Sequence, residues 1–147
     1  MDQQKQVTPE RIMQMSWGYA APLILEAAIR NKVFDTLDSG PKTIDEVAAA
    51  TGASTRGLRG IMNALVSFEF LKNNGDGKYE LTPESSNFLV STKPSFFGGF
   101  IAHSSEHIIP NWLHLSEVVT TGKPASSVIR PMEAKRSFRN SSRTFSP

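Results

Sequence analysis

Thr43-Ile-Asp-Glu-Val-Ala-Ala-Ala-Thr-Gly52-Ala-Ser54-Thr-Arg-Gly-Leu58 is the stretch on which the fold turns. Thr43 is a hydroxyl N-cap, and Glu46 three residues on completes a capping box, so a helix begins at Ile44. Gly52 suits the left-handed position that closes a helix. Ser54 caps the next helix at once, and Leu58, Ile61, Met62, Leu65 and Val66 form its apolar face. Short helix, glycine turn and longer helix make a helix-turn-helix. Asn73-Asn-Gly-Asp-Gly77 then separates Phe70-Leu-Lys72 from Lys78-Tyr-Glu-Leu81, a β-hairpin pattern. A hairpin after a helix-turn-helix is a wing. The expected fold is therefore mainly α and winged-helix-like, with a small β-hairpin and long flanking helices at both ends.

On the N-terminal side, Thr8-Pro9-Glu10 reads as N-cap, first-turn proline and first-turn acid of a helix carrying Ile12, Met13, Met15 and Trp17. Gly18 loosens it. Pro22 to Lys32 is a second helical run, with Leu25, Ala28, Ile29 and Val33 as its buried stripe, and Asp38-Ser-Gly-Pro41 is a turn. On the C-terminal side, Thr82-Pro83-Glu84 repeats the cap signature for a helix carrying Phe88 and Leu89, interrupted at Pro94. Ser95-Phe-Phe-Gly-Gly-Phe-Ile101 opens an apolar helical region through His107, which Pro110 breaks or kinks. Trp112, Leu115, Val118 and Val119 continue at helical spacing until Thr121-Gly-Lys-Pro124 closes the segment.

The bulk composition, 39% hydrophobic and 20% charged over 147 residues, suits one folded domain with a buried core. There is no cysteine, which removes disulfides and thiolate chemistry and fits a cytoplasmic location. No apolar run is long enough to span a bilayer, and no signal-peptide pattern follows Met1. The isoelectric point near 9.0 suggests a nucleic-acid partner until the charge is located. Residues 1–129 carry 11 Lys and Arg against 13 Asp and Glu, whereas residues 130–147 carry 5 against 1. The globular part is slightly acidic and would not draw phosphate from a distance.

Residues 8–124 resemble the N-terminal dimerisation domain of class I S-adenosylmethionine-dependent O-methyltransferases, in the bacterial and acetylserotonin-type branch. The resemblance rests on Trp17-Gly-Tyr-Ala20, on Ile44-Asp-Glu-Val-Ala-Ala-Ala-Thr-Gly52 with the following Arg59 helix, and on Lys78-Tyr-Glu-Leu-Thr-Pro83. His103-Ser-Ser-Glu-His107, Trp112 and Thr121-Gly-Lys-Pro124 complete it. It implies homodimerisation and a share in the walls of a small-molecule substrate pocket. In the family, S-adenosylmethionine and the catalytic base belong to a downstream domain whose Gly-x-Gly-x-x-Gly turn needs glycine for close backbone approach. The ten glycines of this chain form no such turn, since Gly75-Asp-Gly77 lacks the third glycine and lies in the hairpin. No catalytic and no cofactor-binding residue is assigned, and the chain by itself is expected to be inactive.

Residues 1–7 read as a flexible N-terminus and 125–147 as a basic tail without apolar period. Read one frame over with a permitted codon choice, Arg136 to Pro147 gives Glu-Phe-Pro-Glu-Phe-Val-Glu-Asp-Ile-Phe-Pro, a phrase typical of the family at this point. The expectation is a one-nucleotide frameshift near Arg130 that cuts the protein short. A genuine basic tail is the alternative.

Three site readings compete. Met13, Met15, Trp17, Phe96, Phe97 and Phe100 are more apolar surface than one winged-helix core obviously hides, which marks a homodimer interface. His103, His107 and Trp112 are candidates to line a substrate pocket. Histidines at 103 and 107, with Glu106 between them and His114 beyond, lack a His-Glu-x-x-His order and a placed further ligand, so no metal site is assigned. The alternative function is a DNA-binding regulator, for which Arg56, Arg59, Lys72 and Lys78 are available cations. Glu69, Asp76 and Glu80 stand among them and offset them.

Overall fold

The computed structural model describes residues 7–125. In chain order these form α1 (Glu10–Ser16), α2 (Ala20–Arg30), α3 (Val33–Leu37), β1 (Lys42–Thr43), α4 (Ile44–Thr51), α5 (Thr55–Ser67), β2 (Leu71–Asn73), β3 (Lys78–Leu81) and α6 (Pro83–Phe88). There follow α7 (Gly98–His103), a π-helical stretch Ser104–Ile108, α8 (Ile109–Trp112) and α9 (Leu115–Thr121). The described residues fall into two units, one ending at Ala102 and one beginning at His103. The basic tail from Arg130 and its proposed frameshift lie outside the described residues, as do residues 1–6.

Local chemistry sets the helix-turn-helix. The Thr43 N–H donates to Glu46 Oε2 at 2.7 Å while the Glu46 N–H donates to Thr43 Oγ1 at 3.2 Å, closing the capping box that starts α4. Gly52 ends α4 at φ 74°, and Ser54 Oγ accepts the Gly57 N–H at 3.1 Å to start α5. One face of α5 buries Leu58, Met62 and Leu65, with Ile61 and Val66 packed at its margin. Against it lie Ala28 of α2, Val33, Phe34 and Leu37 of α3, Ile44 and Val47 of α4, and Leu71 and Tyr79 of the wing. Leu89 and Val90, just after α6, complete the core.

The wing has three strands rather than two. β3 lies between β2 and β1, antiparallel to both, with Leu71 opposite Leu81 and Lys42 opposite Tyr79. A two-residue strand has no periodicity to read, so β1 is invisible to local pattern and exists only because β3 offers it an edge. Tyr79 is buried, and its hydroxyl donates to Asn63 Oδ1 of α5 at 2.6 Å, tying wing to helix.

Several expected boundaries move. Thr8 makes no cap; Pro9 occupies that position, and the helix begins at Glu10. The second run begins at Ala20 and ends at Arg30; Lys32, left-handed at φ 58°, then turns the chain into a separate α3, so Val33 belongs to the next helix. α6 stops at Phe88, before Pro94 is reached, with Leu89 as its C-cap and the Leu89 N–H making the last helical bond to Ser85 O. The helical flanks are also shorter pieces than their apolar spacing suggests. In the second unit, Pro110 can donate nothing to the carbonyl four residues back and crowds it. The backbone accommodates this by widening to a π-helical stretch immediately before the proline.

Among the described residues, no helix is long and apolar enough to cross a membrane.

Candidate functional site

α1 contributes nothing to the core. Every residue from Val7 to Tyr19 is exposed, although the segment holds Ile12, Met13, Met15, Trp17 and Tyr19. Met15 is 74% and Trp17 65% exposed, and the Trp17 and Tyr19 rings stack on one another at 6.3 Å. A helix of 7 residues has too few internal hydrogen bonds to persist on propensity alone, so packing of its apolar side chains has to hold it.

The second apolar cluster forms at the start of α7. Phe97 and Phe100 are both more than half exposed, and their rings stack at 5.1 Å. Their neighbour Phe96 is half-buried. Its ring lies across the Cα of Gly98, in the space a Cβ would need. The Phe97 N–H donates to Phe88 O at 2.8 Å and Ser95 Oγ donates to Asn87 O at 2.6 Å, pinning this turn to the end of α6. Five of the six residues singled out as interface are therefore exposed in the single chain, and Phe96 is half-buried with its ring over Gly98.

The pocket candidates divide. Trp112 is exposed and borders a shallow apolar hollow of about 200 Å³ with Leu115 and Val118. His103 and His107 are also exposed, with ring centroids 5.0 Å apart, and neither lines that hollow. The helical spacing that groups the histidines does not bring Trp112 to them. Among the described residues no group of three or more His, Asp or Glu side chains is arranged to hold a metal ion.

The cations offered for DNA lie on exposed positions, Arg56 and Arg59 on α5 and Lys72 and Lys78 on the wing. Lys78 and Lys42 face the Glu46 carboxyl. The hydrogen bond from the Thr43 backbone holds that carboxyl below its ordinary value, ahead of slight opposing desolvation, the Thr43 side chain and the two lysines. Glu80 on β3 accepts from Asn74 Nδ2 at 3.3 Å. With Asp76, Glu80 and the neighbouring Glu46 among its lysines, the wing presents mixed charge rather than a cationic rim.

A glycine cradle for S-adenosylmethionine is not formed by the described residues. Gly75 and Gly77, at φ 79° and 82°, shape the hairpin tip, where the Gly75 N–H is taken by Asn73 Oδ1 and the Lys78 N–H by Asp76 Oδ1. Among the described residues these two glycines serve the hairpin turn rather than a ligand cradle.

Sequence reasoning missed two polar relationships that tie the segment after α6 to α3 and its C-cap. The Ser91 N–H and hydroxyl both reach the Asp35 carboxylate, and Lys93 Nζ lies 3.1 Å from Asp38 Oδ1. Nothing local signals these pairs, because their partners are more than fifty positions apart.

Comparison with known proteins bears out the family resemblance and the fold. Residues 13–91 match the O-methyltransferase dimerisation domain. The chain is 27% identical over 115 residues to the tetracenomycin polyketide synthesis 8-O-methyl transferase TcmO of Streptomyces glaucescens, covering 78% of this chain and 34% of that protein. It is 30% identical over 112 residues to acetylserotonin O-methyltransferase of Rattus norvegicus, covering 76% of this chain and 26% of that protein. The crystal structure of human N-acetylserotonin methyltransferase in complex with SAM superposes with a TM-score of 0.72 at 25% identity, over 82% of this chain and 36% of that one. The chain spans about a third or less of the length of these relatives.

Proposed function

Because this chain belongs to the O-methyltransferase dimerisation-domain family, we propose that it pairs with a second copy of itself through Met13, Met15, Trp17, Phe97 and Phe100, with Phe96 setting the Phe97 turn. The observation that carries this reading is the exposure of that apolar set in a folded single chain. Exposed apolar area of this kind is costly in water and marks an interface. Methionine and aromatic side chains give such a surface area and adaptability. Two-fold symmetric pairing is the default geometry for identical chains.

We propose further that His103, His107 and Trp112 border a substrate cavity completed by other parts of a small-molecule methyltransferase. This reading gives the described residues a role in pairing and in a share of the cavity wall, and assigns them no methyl-donor site and no catalytic base. The methyl-transfer activities named for the relatives belong to those proteins.

The test is the mass of the purified chain by light scattering on a sizing column. The expected result is a dimer that Trp17→Asp or Phe97→Asp converts to monomer or aggregate. A monomeric parent chain, or variants that remain dimeric, would sink the interface assignment. Salt-sensitive retention on duplex DNA, weakened by replacing Arg56 and Arg59, would favour the regulator instead.

A further inference from the structure

In the second unit, two imidazoles stand as an exposed pair at the start of the π-helical stretch. His103 and His107 are four residues apart, their ring centroids are separated by 5.0 Å, and their planes are tilted by 50°. Among the described residues neither ring takes part in a hydrogen bond or an ion pair, so no competing polar contact fixes their orientation. The spacing in sequence names no metal site, because a third ligand is not placed. The ring geometry poses a narrower question, whether these two rings can grip one ion.

Simple geometry answers it. With metal–nitrogen bonds of about 2.0–2.1 Å, each imidazole centroid sits roughly 3.2 Å from the ion. Two such rings are then roughly 4.5 Å apart at a right-angled coordination and roughly 5.2 Å apart at a tetrahedral one. The observed 5.0 Å lies inside that interval, so the two ring centres stand at a separation compatible with both imidazoles reaching one ion. Surface exposure leaves the remaining coordination positions to water.

We infer that His103 and His107 form a bidentate imidazole site for a late divalent transition-metal ion, copper ahead of nickel and zinc. Neutral imidazole is a good ligand for these ions and a poor one for calcium or magnesium, which need oxygen cages. With two protein ligands the site is open and exchangeable, unlike a closed four-ligand structural zinc centre. This inference is independent of the dimer and pocket readings, because it requires only the two rings and solvent.

The experiment is calorimetric titration of the metal-free full chain with copper(II) and, separately, zinc(II). One ion should bind per chain. His103→Ala and His107→Ala should each weaken copper binding by about 10- to 100-fold, since loss of either ring turns a chelate into a single contact. His114→Ala should leave the affinity unchanged. The copper electron paramagnetic resonance spectrum of the unmodified chain should show two coordinated nitrogens, which tests the pair without any substitution. Absence of binding, unchanged affinity in either single variant, loss of affinity in His114→Ala, or a spectrum with one nitrogen would each overturn the assignment.

Discussion

The Asp35 carboxylate holds Ser91 at both oxygens: Oδ1 accepts the Ser91 N–H at 2.7 Å and Oδ2 accepts its hydroxyl at 2.8 Å. Asp35 lies on α3 and Ser91 just beyond α6, so this clamp fixes the segment that leads to the Phe96–Phe100 turn. Burial works to raise the Asp35 carboxyl. The Ser91 backbone and hydroxyl donors, with Lys32 behind them, outweigh it and leave the group below its ordinary 3.8. Because the folded value is the lower one, the clamp contributes its full stability above the unfolded value and loses it as pH falls through the folded value. Asp35→Asn should therefore be less stable than the parent at neutral pH, with the gap closing below about pH 4. Ser91→Ala should cost about 1 kcal/mol at neutral pH. Urea denaturation at several pH values measures both, and a gap that is constant in pH would refute the clamp's charge.

Glu69 ends α5 in an unfavourable conformation. The Phe70 N–H reaches Leu65 O and the Glu69 N–H reaches Val66 O, a Schellman closure that places Glu69 left-handed at φ 62°. Glycine takes that conformation without a Cβ penalty, so Glu69→Gly should stabilise the chain by about 1 kcal/mol. A shift of the urea midpoint to lower concentration would show that the Glu69 side chain contributes more than its strain costs.

The Tyr79 hydroxyl and Asn63 form the one side-chain hydrogen bond between wing and α5 among the described residues. Tyr79→Phe keeps the buried ring and removes only the donor. The expected loss is about 1 kcal/mol, and amide exchange in β2 and β3 should accelerate relative to α4. Uniform acceleration in all elements would mean that the bond supports the whole core rather than the wing.

Gly98 is the seat of the Phe96 ring. Gly98→Ala should displace that ring and disturb Phe97 beside it, weakening dimerisation by about 1–3 kcal/mol while the core, which holds none of these residues, keeps its melting temperature nearly unchanged. Sedimentation equilibrium and thermal melting together separate the two effects. Equal loss in both would place Phe96 in the fold rather than at the interface.

What was legible in the sequence is what near neighbours decide. Thr43 with Glu46, Gly52 and Ser54 carry their capping chemistry within four residues, and the period of Leu58, Met62 and Leu65 names the buried face of α5. The helix-turn-helix, the hairpin and the family followed from such signals, and so did the set of apolar side chains too large for one core. Tertiary structure decided the rest. Only pairing across the sheet could create β1, only contact over more than fifty positions could join Asp35 to Ser91, and only the folded surface could show that α1 buries nothing while Phe96 rests on Gly98. A cap or a period is an interaction between residues the chain already holds together. Which distant groups meet, and which apolar faces stay uncovered, depends on how the helices pack, and no short window of sequence contains that.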